Sequence, residues 1–149
     1  MKIVIQRVLQ AKVEVEGKVT GEIGKGFLLF LGVSNEDTTD IADKMIEKVS
    51  RLRIFEDENE RINLSIDQVD GEVLVVSQFT LYADCKKGNR PSFVNAGSPD
   101  MAEAIYEHVK KRCGELFKNT ACGIFGADMK VSLVNDGPFT IVLDSKEIL

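Results

Sequence analysis

The chain opens on an alternating pattern. Residues 2–8 and 12–16 place apolar side chains at every second position, as half-buried strands do, and Glu16-Gly17-Lys18 forms a tight turn into a third strand at 19–23. After Gly24-Lys25-Gly26 the alternation gives way to Phe27-Leu28-Leu29-Phe30-Leu31-Gly32-Val33, a continuous apolar run suited to a central strand covered on both faces. Asp37 or Thr38 then caps a helix with Ile41, Met45, Ile46 and Val49 on one face, ending near Arg53. A polar turn follows at 57–60. A further strand is predicted at 72–82, because Val73-Leu74-Val75-Val76 is strongly β-forming and follows an Asp-Gly turn signal.

Residues 83–98 have no period, and loops of that length usually serve a function. Ser98 as N-cap and Pro99 at the first helical position start a second helix, reaching about Lys118, with Ile105, Val109, Leu116 and Phe117 inward. Strands at 129–134 and 139–143, joined by Asn135-Asp136-Gly137-Pro138, complete the chain as a hairpin. The order predicts one α+β domain over residues 1–149, with two main helices packed on a mainly antiparallel, barrel-like sheet. At 149 residues the chain is long enough to bury a core without a staple.

Charge and cysteine usage narrow the function classes. With 19 basic and 24 acidic side chains the net charge is −5, so nucleic acid, if bound, is contacted locally and not through a broad basic face. Cys85, Cys113 and Cys122 are odd in number and lack Cys-x-x-Cys spacing, which supports neither a disulfide framework nor a zinc knuckle. They read as ordinary core or surface thiols. We expect a reducing, cytoplasmic setting, no membrane span, no metal and no cofactor. The single histidine, His108, lies between Ile105 and Val109 on the second helix and reads as a packing or surface residue.

Three segments carry candidate chemistry, each with a plainer reading beside it. In Ser77-Gln78-Phe79-Thr80-Leu81-Tyr82-Ala83-Asp84 a hydrocarbon strand turns polar. That is either an ordinary strand end or a place where Ser77, Gln78 and Thr80 present hydroxyl and amide groups to a ligand, with backbone N–H groups near Phe79 and Thr80 facing a carbonyl oxygen. Thr80 as a nucleophile needs an activating base, and no histidine is near it in sequence. Asn135-Asp136-Gly137-Pro138 is either a turn or, with a cis bond before Pro138, a specific backbone shape. Lys86-Lys87-Gly88-Asn89-Arg90 is either a solvated loop or a small anion site.

These motifs converge. Gln6-Arg7-Val8, Ser77-Gln78-Phe79-Thr80-Leu81, Arg90-Pro91-Ser92-Phe93, Phe125-Gly126-Ala127-Asp128-Met129 and Asn135-Asp136-Gly137-Pro138-Phe139-Thr140 together resemble the D-aminoacyl-tRNA deacylases over essentially the whole chain. One departure is Phe139, where the family more often carries valine. The resemblance implies a homodimer with active sites at the subunit interface and hydrolysis of the ester joining a D-amino acid to the tRNA 3′ end. It also implies cleavage of mischarged glycyl-tRNA(Ala). Ser77, Gln78, Phe79 and Thr80 then hold the terminal adenosine and the ester. Met129 and Ala102 lie near the pocket, and Lys86, Lys87 and Arg90 contact tRNA. Gly137-Pro138 becomes a Gly-cis-Pro element that reaches into the partner's pocket and rejects L-amino acids. Two readings compete: an editing hydrolase for L-aminoacyl-tRNA, and a non-catalytic dimeric module whose basic loop binds an acidic partner.

Overall fold

One long strand organises the sheet. In the computed structural model, which describes residues 1–149, strand β1 (Lys2–Val15) pairs along its whole length with β8 (Met129–Asp144) on one side. On the other side its first half pairs with β3 (Gly26–Gly32) and its second half with β2 (Lys18–Ile23), all antiparallel. The sheet continues through two parallel ladders, β3 with β6 (Glu72–Ser77) and β6 with β7 (Thr120–Cys122). The last strand curls back against β2, so closely that a Cβ on Gly21 would stand 2.7 Å from the Cys122 carbonyl oxygen. The α+β expectation with a nearly closed, barrel-like sheet holds; the parallel ladders are the part the mainly antiparallel reading lacked.

The apolar run at 27–33 is central because its alternate side chains serve two cores. Leu28 joins Val8, Ala11, Val13, Ile23, Leu74 and Val76 inside the barrel. Phe27, Leu29 and Leu31 face outward, where helices cover them. The covering helices are α1 (Thr39–Ser50), through Ala42, Met45, Ile46 and Val49, and α2 (Pro99–Leu116), through Ala102, Ile105, Tyr106, Val109 and Cys113. Burying each large side chain is worth roughly 1.5–3 kcal/mol, so these two interdigitated layers carry the fold. Thr38, not Asp37, caps α1, its hydroxyl accepting from the Ile41 N–H. Asp37 is buried instead, accepting from the Ser34 N–H at 2.6 Å and from the Met1 amino group. No helix is long and apolar enough to cross a membrane.

Four expectations are corrected. The segments 2–8 and 12–16 are one strand: Arg7 and Val8 are both buried and Leu9 and Gln10 both exposed, a phase slip produced by the register shifts opposite β8. The closing hairpin does not form. Residues 129–144 run on as one strand, with Asn135 opposite Val8 and Thr140 opposite Gln6, so the segment 136–139 bulges out facing Arg7 alone. Pro138 has no N–H to give the ladder, which suits a bulge and not a strand start. The strand predicted at 72–82 ends at Ser77 and passes into a single 3₁₀ turn at Phe79–Tyr82. The second helix stops at Leu116, its C-cap Phe117 being extended. Sequence reading also missed a small ribbon, β4 (Arg53–Glu56) with β5 (Ile62–Ser65), and a terminal turn, α3 (Ser145–Ile148).

Candidate active site

Where β6 ends, the chain must leave the sheet. The Gln78 N–H donates to the Leu31 carbonyl at 2.8 Å as a last sheet-like bond, and the 3₁₀ turn then folds back over β3. Gly32 makes this possible, since a Cβ there would stand 2.9 Å from the Leu81 Cβ and 3.2 Å from the Gln78 carbonyl oxygen. In an i→i+3 turn the leading N–H groups, here those of Phe79 and Thr80, have no partner within the turn. The Gln78 side-chain amide donates to the Thr80 hydroxyl oxygen at 2.6 Å.

This strand end forms one wall of a cavity of about 760 Å³. Ser77 and Gln78 supply polar groups there and Asn35, Ser98 and Asp128 supply others around the wall, Ala102 and Tyr106 enter from α2, Phe125 comes from the chain before β8 and Met129 from its first residue. The Tyr106 hydroxyl lies 3.1 Å from the Val75 carbonyl and 3.2 Å from that of Gly123, which fixes the ring as a floor. Burial drives its pKa well above the ordinary phenol range, so it stays neutral. Phe79 and Phe93 meet edge to face at 4.9 Å on the rim, and both are exposed. The cavity is mostly hydrocarbon with a few hydroxyl and amide groups and one carboxylate, Asp128, a composition that holds a planar ligand and orients one polar bond.

The sequence-predicted residues fall into three groups. Ser77, Gln78, Phe79, Ala102 and Met129 line the cavity together. Thr80 is exposed beside it and reaches it only through Gln78. Lys86 belongs to a second, smaller cavity, and Lys87 and Arg90 lie exposed on the loop, which an antiparallel bridge between Asp84 and Ser92 closes.

Gly137 and Pro138 are the outliers. Their peptide bond is cis, Gly137 has φ +146°, and both residues are exposed and line no part of the cavity in their own chain. The bulge is held from beneath by Arg7, which is only 4% exposed. Its Nε donates to the Asp136 carbonyl at 3.0 Å, its Nη1 to the Ile54 carbonyl at 2.7 Å, and its guanidinium carbon lies 4.6 Å from the Phe139 ring centre. Sequence reasoning missed the roles of Arg7, Gly32, Tyr106 and Phe125. The one signal available, at Arg7, is a charge at the position that the alternation of Ile3 and Ile5 turns inward.

The single histidine and the two less exposed thiols stand outside this chemistry. His108 Nε2 is 2.7 Å from Asp43 Oδ1, a link between α2 and α1 away from the cavity. Burial pushes the Cys113 thiol up to about 12 and raises Cys122 as well, so neither is a thiolate at neutral pH. No group of three His, Cys, Asp or Glu side chains is placed to hold a metal ion.

Comparison with known proteins agrees with this geometry. The family model described as D-Tyr-tRNA(Tyr) deacylase matches residues 4–144. D-aminoacyl-tRNA deacylases from Lactobacillus acidophilus and Thermosipho africanus are 54% and 51% identical to it, over 97% and 99% of this chain and 99% of each relative. Among solved structures, the c-Myc DNA unwinding element binding protein superposes with a TM-score of 0.84 at 41% identity, covering 97% of this chain and 98% of that one. A probable eukaryotic D-amino acid tRNA deacylase shares the fold, with a TM-score of 0.78 at 18% identity over 95% and 97% of the two chains. From residue 4 to residue 144, the chain belongs to the D-Tyr-tRNA(Tyr) deacylase family.

Proposed function

We propose that the protein hydrolyses the ester of D-aminoacyl-tRNA, releasing the free D-amino acid and tRNA with its 3′-hydroxyl restored. The observation that carries this reading is the cavity beside Ser77, Gln78 and Phe79, which pairs an apolar floor for a nucleobase with a polar edge for an ester, in a member of this family. Its volume of about 760 Å³ leaves room for a nucleoside and an aminoacyl group together.

Chemistry at this site needs little from side chains, because an aminoacyl ester is already activated. Water adds to the carbonyl carbon, the N–H groups near Phe79 and Thr80 receive the oxyanion, and collapse expels the 3′-oxygen, which takes up a proton. The substrate's neighbouring 2′-hydroxyl assists the water. Two contacts favour this over attack by Thr80: its oxygen accepts from the Gln78 amide, and the single histidine is paired with Asp43 on the other helix.

The working unit in this reading is a homodimer. Gly137 and Pro138 stand exposed on a braced bulge outside their own cavity, and the rim of that cavity carries exposed Phe79, Phe93 and Val94. Reciprocal insertion of the bulge into the partner's cavity satisfies both. There the backbone of Gly137-Pro138 grips the α-amino group and blocks the side-chain direction of an L-amino acid. Glycine has no side chain to block, so glycyl-tRNA(Ala) is cleaved too. Lys86, Lys87 and Arg90 contact the tRNA, and the enzyme acts in the cytoplasm, where aminoacylated tRNA is found. The test is release of free D-tyrosine from D-tyrosyl-tRNA by the purified protein at a rate proportional to enzyme. An uncleaved ester would leave the dimeric binding module as the better account.

A further inference from the structure

The segment 93–97 is a wall between two cavities of opposite character. Val94 and Ala96 face the apolar cavity already described, whereas Asn95, between them, faces a smaller one of about 370 Å³. Val94 and Asn95 are the corners of a turn closed by the Ala96 N–H donating to the Phe93 carbonyl at 3.0 Å, and the turn sends their side chains to different cavities. The wall is fixed at both ends, by the Asn35 side-chain amide donating to the Val94 carbonyl at 3.0 Å and by the bridge between Ser34 and Ala96. The 3₁₀ turn after β6 is shared in the same way: Phe79 lines the first cavity and Tyr82 the second.

The second cavity brings together two lysines from distant parts of the chain, Lys2 at the start of β1 and Lys86 in the basic loop. Lys2 Nζ stands 5.1 Å from the centre of the Tyr82 ring, which orients the ammonium across the cavity. The cavity's one carboxylate, Asp84, spends an oxygen on the Lys86 N–H at 2.9 Å, and Asp144 approaches Lys2 only to 4.0 Å. Burial pushes the Tyr82 phenol up to about 12, so it adds no negative charge. The other carboxylates whose fields reach Tyr82 are matched elsewhere, Asp37 by the Met1 amino group and Glu36 by Lys146, so two lysines and an amide against Asp84 leave the lining with an excess of positive charge suited to an anion of the size of a phosphate.

We propose that this cavity seats a phosphodiester of the single-stranded 3′ end, just before the terminal adenosine, with Lys2 and Lys86 as its charge partners and Asn95 as a neutral donor. The proposal rests on the function proposed above and adds a place for the strand's backbone. Base and backbone of one strand lie side by side, so a base in the apolar cavity brings the preceding phosphate to the other side of the 93–97 wall. Lys2 is new to this role.

The experiment compares D-tyrosyl-tRNA with D-tyrosyl-adenosine, which has the ester and the base but no phosphate, using wild type, a Lys2→Gln variant and a Lys18→Gln/Lys48→Gln variant that loses more charge far from the cavity. The expected result is a KM for D-tyrosyl-tRNA raised several-fold in the first variant alone, with kcat and the hydrolysis of D-tyrosyl-adenosine unchanged. Its salt dependence should be shallower by about 0.7 per lost phosphate contact. An unchanged KM and salt slope, or an equal loss in the Lys18/Lys48 variant, would overturn the subsite. Failure of wild type to cleave either substrate would instead overturn the underlying function.

Discussion

Arg7 Nε donates a 3.0 Å hydrogen bond to the carbonyl oxygen of Asp136, the residue that leads into Gly137. Through this bond a side chain buried beneath β1 determines where the exposed bulge sits. Lysine at this position keeps the charge but cannot reach the Asp136 and Ile54 carbonyls at once while lying flat on Phe139. Arg7→Lys is therefore expected to cost about 1–3 kcal/mol of stability. In the proposed dimer it should also narrow the preference for D- over L-tyrosyl-tRNA by roughly tenfold or more, as a misplaced positioning group does. Denaturant midpoints and paired kinetics check the two effects, and an unchanged D/L ratio would remove Arg7 from the filter.

Gly32 lets the turn carrying Phe79 and Thr80 lie against β3. A methyl group there meets the Leu81 Cβ at 2.9 Å and must push the turn outward. Gly32→Ala should lower kcat for ester hydrolysis by about 10- to 100-fold, while stability falls by only about 1–3 kcal/mol. A variant that is destabilised yet fully active at low temperature would show that the position of the turn is not critical.

Thr80 separates two chemistries. If backbone donors and the substrate's 2′-hydroxyl drive hydrolysis, Thr80→Ala removes only the acceptor of the Gln78 amide and should retain activity within about tenfold, the scale of one hydrogen bond. Loss of turnover by about a thousandfold or more, with substrate binding intact, would make Thr80 the nucleophile.

The buried thiol of Cys113 predicts alkaline weakness. Its pKa rises from 9.0 in the unfolded chain to about 12 in the fold, mainly through burial. The native state therefore holds a proton that the unfolded chain releases; this contribution is fully present below pH 9 and drains away as pH climbs toward about 12. Urea midpoints measured from pH 8 to 11 should fall. Cys113→Ala should show a shallower fall from a lower starting stability, and an identical slope would assign the effect to other groups, Tyr106 foremost.

Much of this fold was legible because periodicity and burial agree along most of the chain. The run at 27–33, the α1 stripe through Ile46 and Val49, and Pro99 at the head of α2 each have one physical reading. Errors came where a local signal opposed a long-range one. Arg7 and Val8 break the alternation of β1, and the partner that corrects the phase is more than 120 residues away. Asp136-Gly137 is a strong hairpin signal, overridden because β1 is long enough to pair on both sides of the bulge. At the site, Ser77 to Phe79 announced themselves by turning polar at the end of a hydrocarbon strand. Tyr106 and Phe125 did not, since an aromatic lining a cavity and one filling a core look alike in sequence. The role proposed for Gly137-Pro138 comes from the family resemblance and not from spacing.

The central claim is a D-selective deacylase whose filter is the Gly137-Pro138 bulge. Its most direct measurement is the ratio of kcat/KM for D- and L-tyrosyl-tRNA, in wild type and in a Gly137→Ala/Pro138→Ala variant. The account predicts rapid cleavage of the D ester with the L ester spared in wild type, and loss of that contrast in the variant. Equal cleavage of both esters by wild type, or a contrast that survives the double substitution, would contradict it.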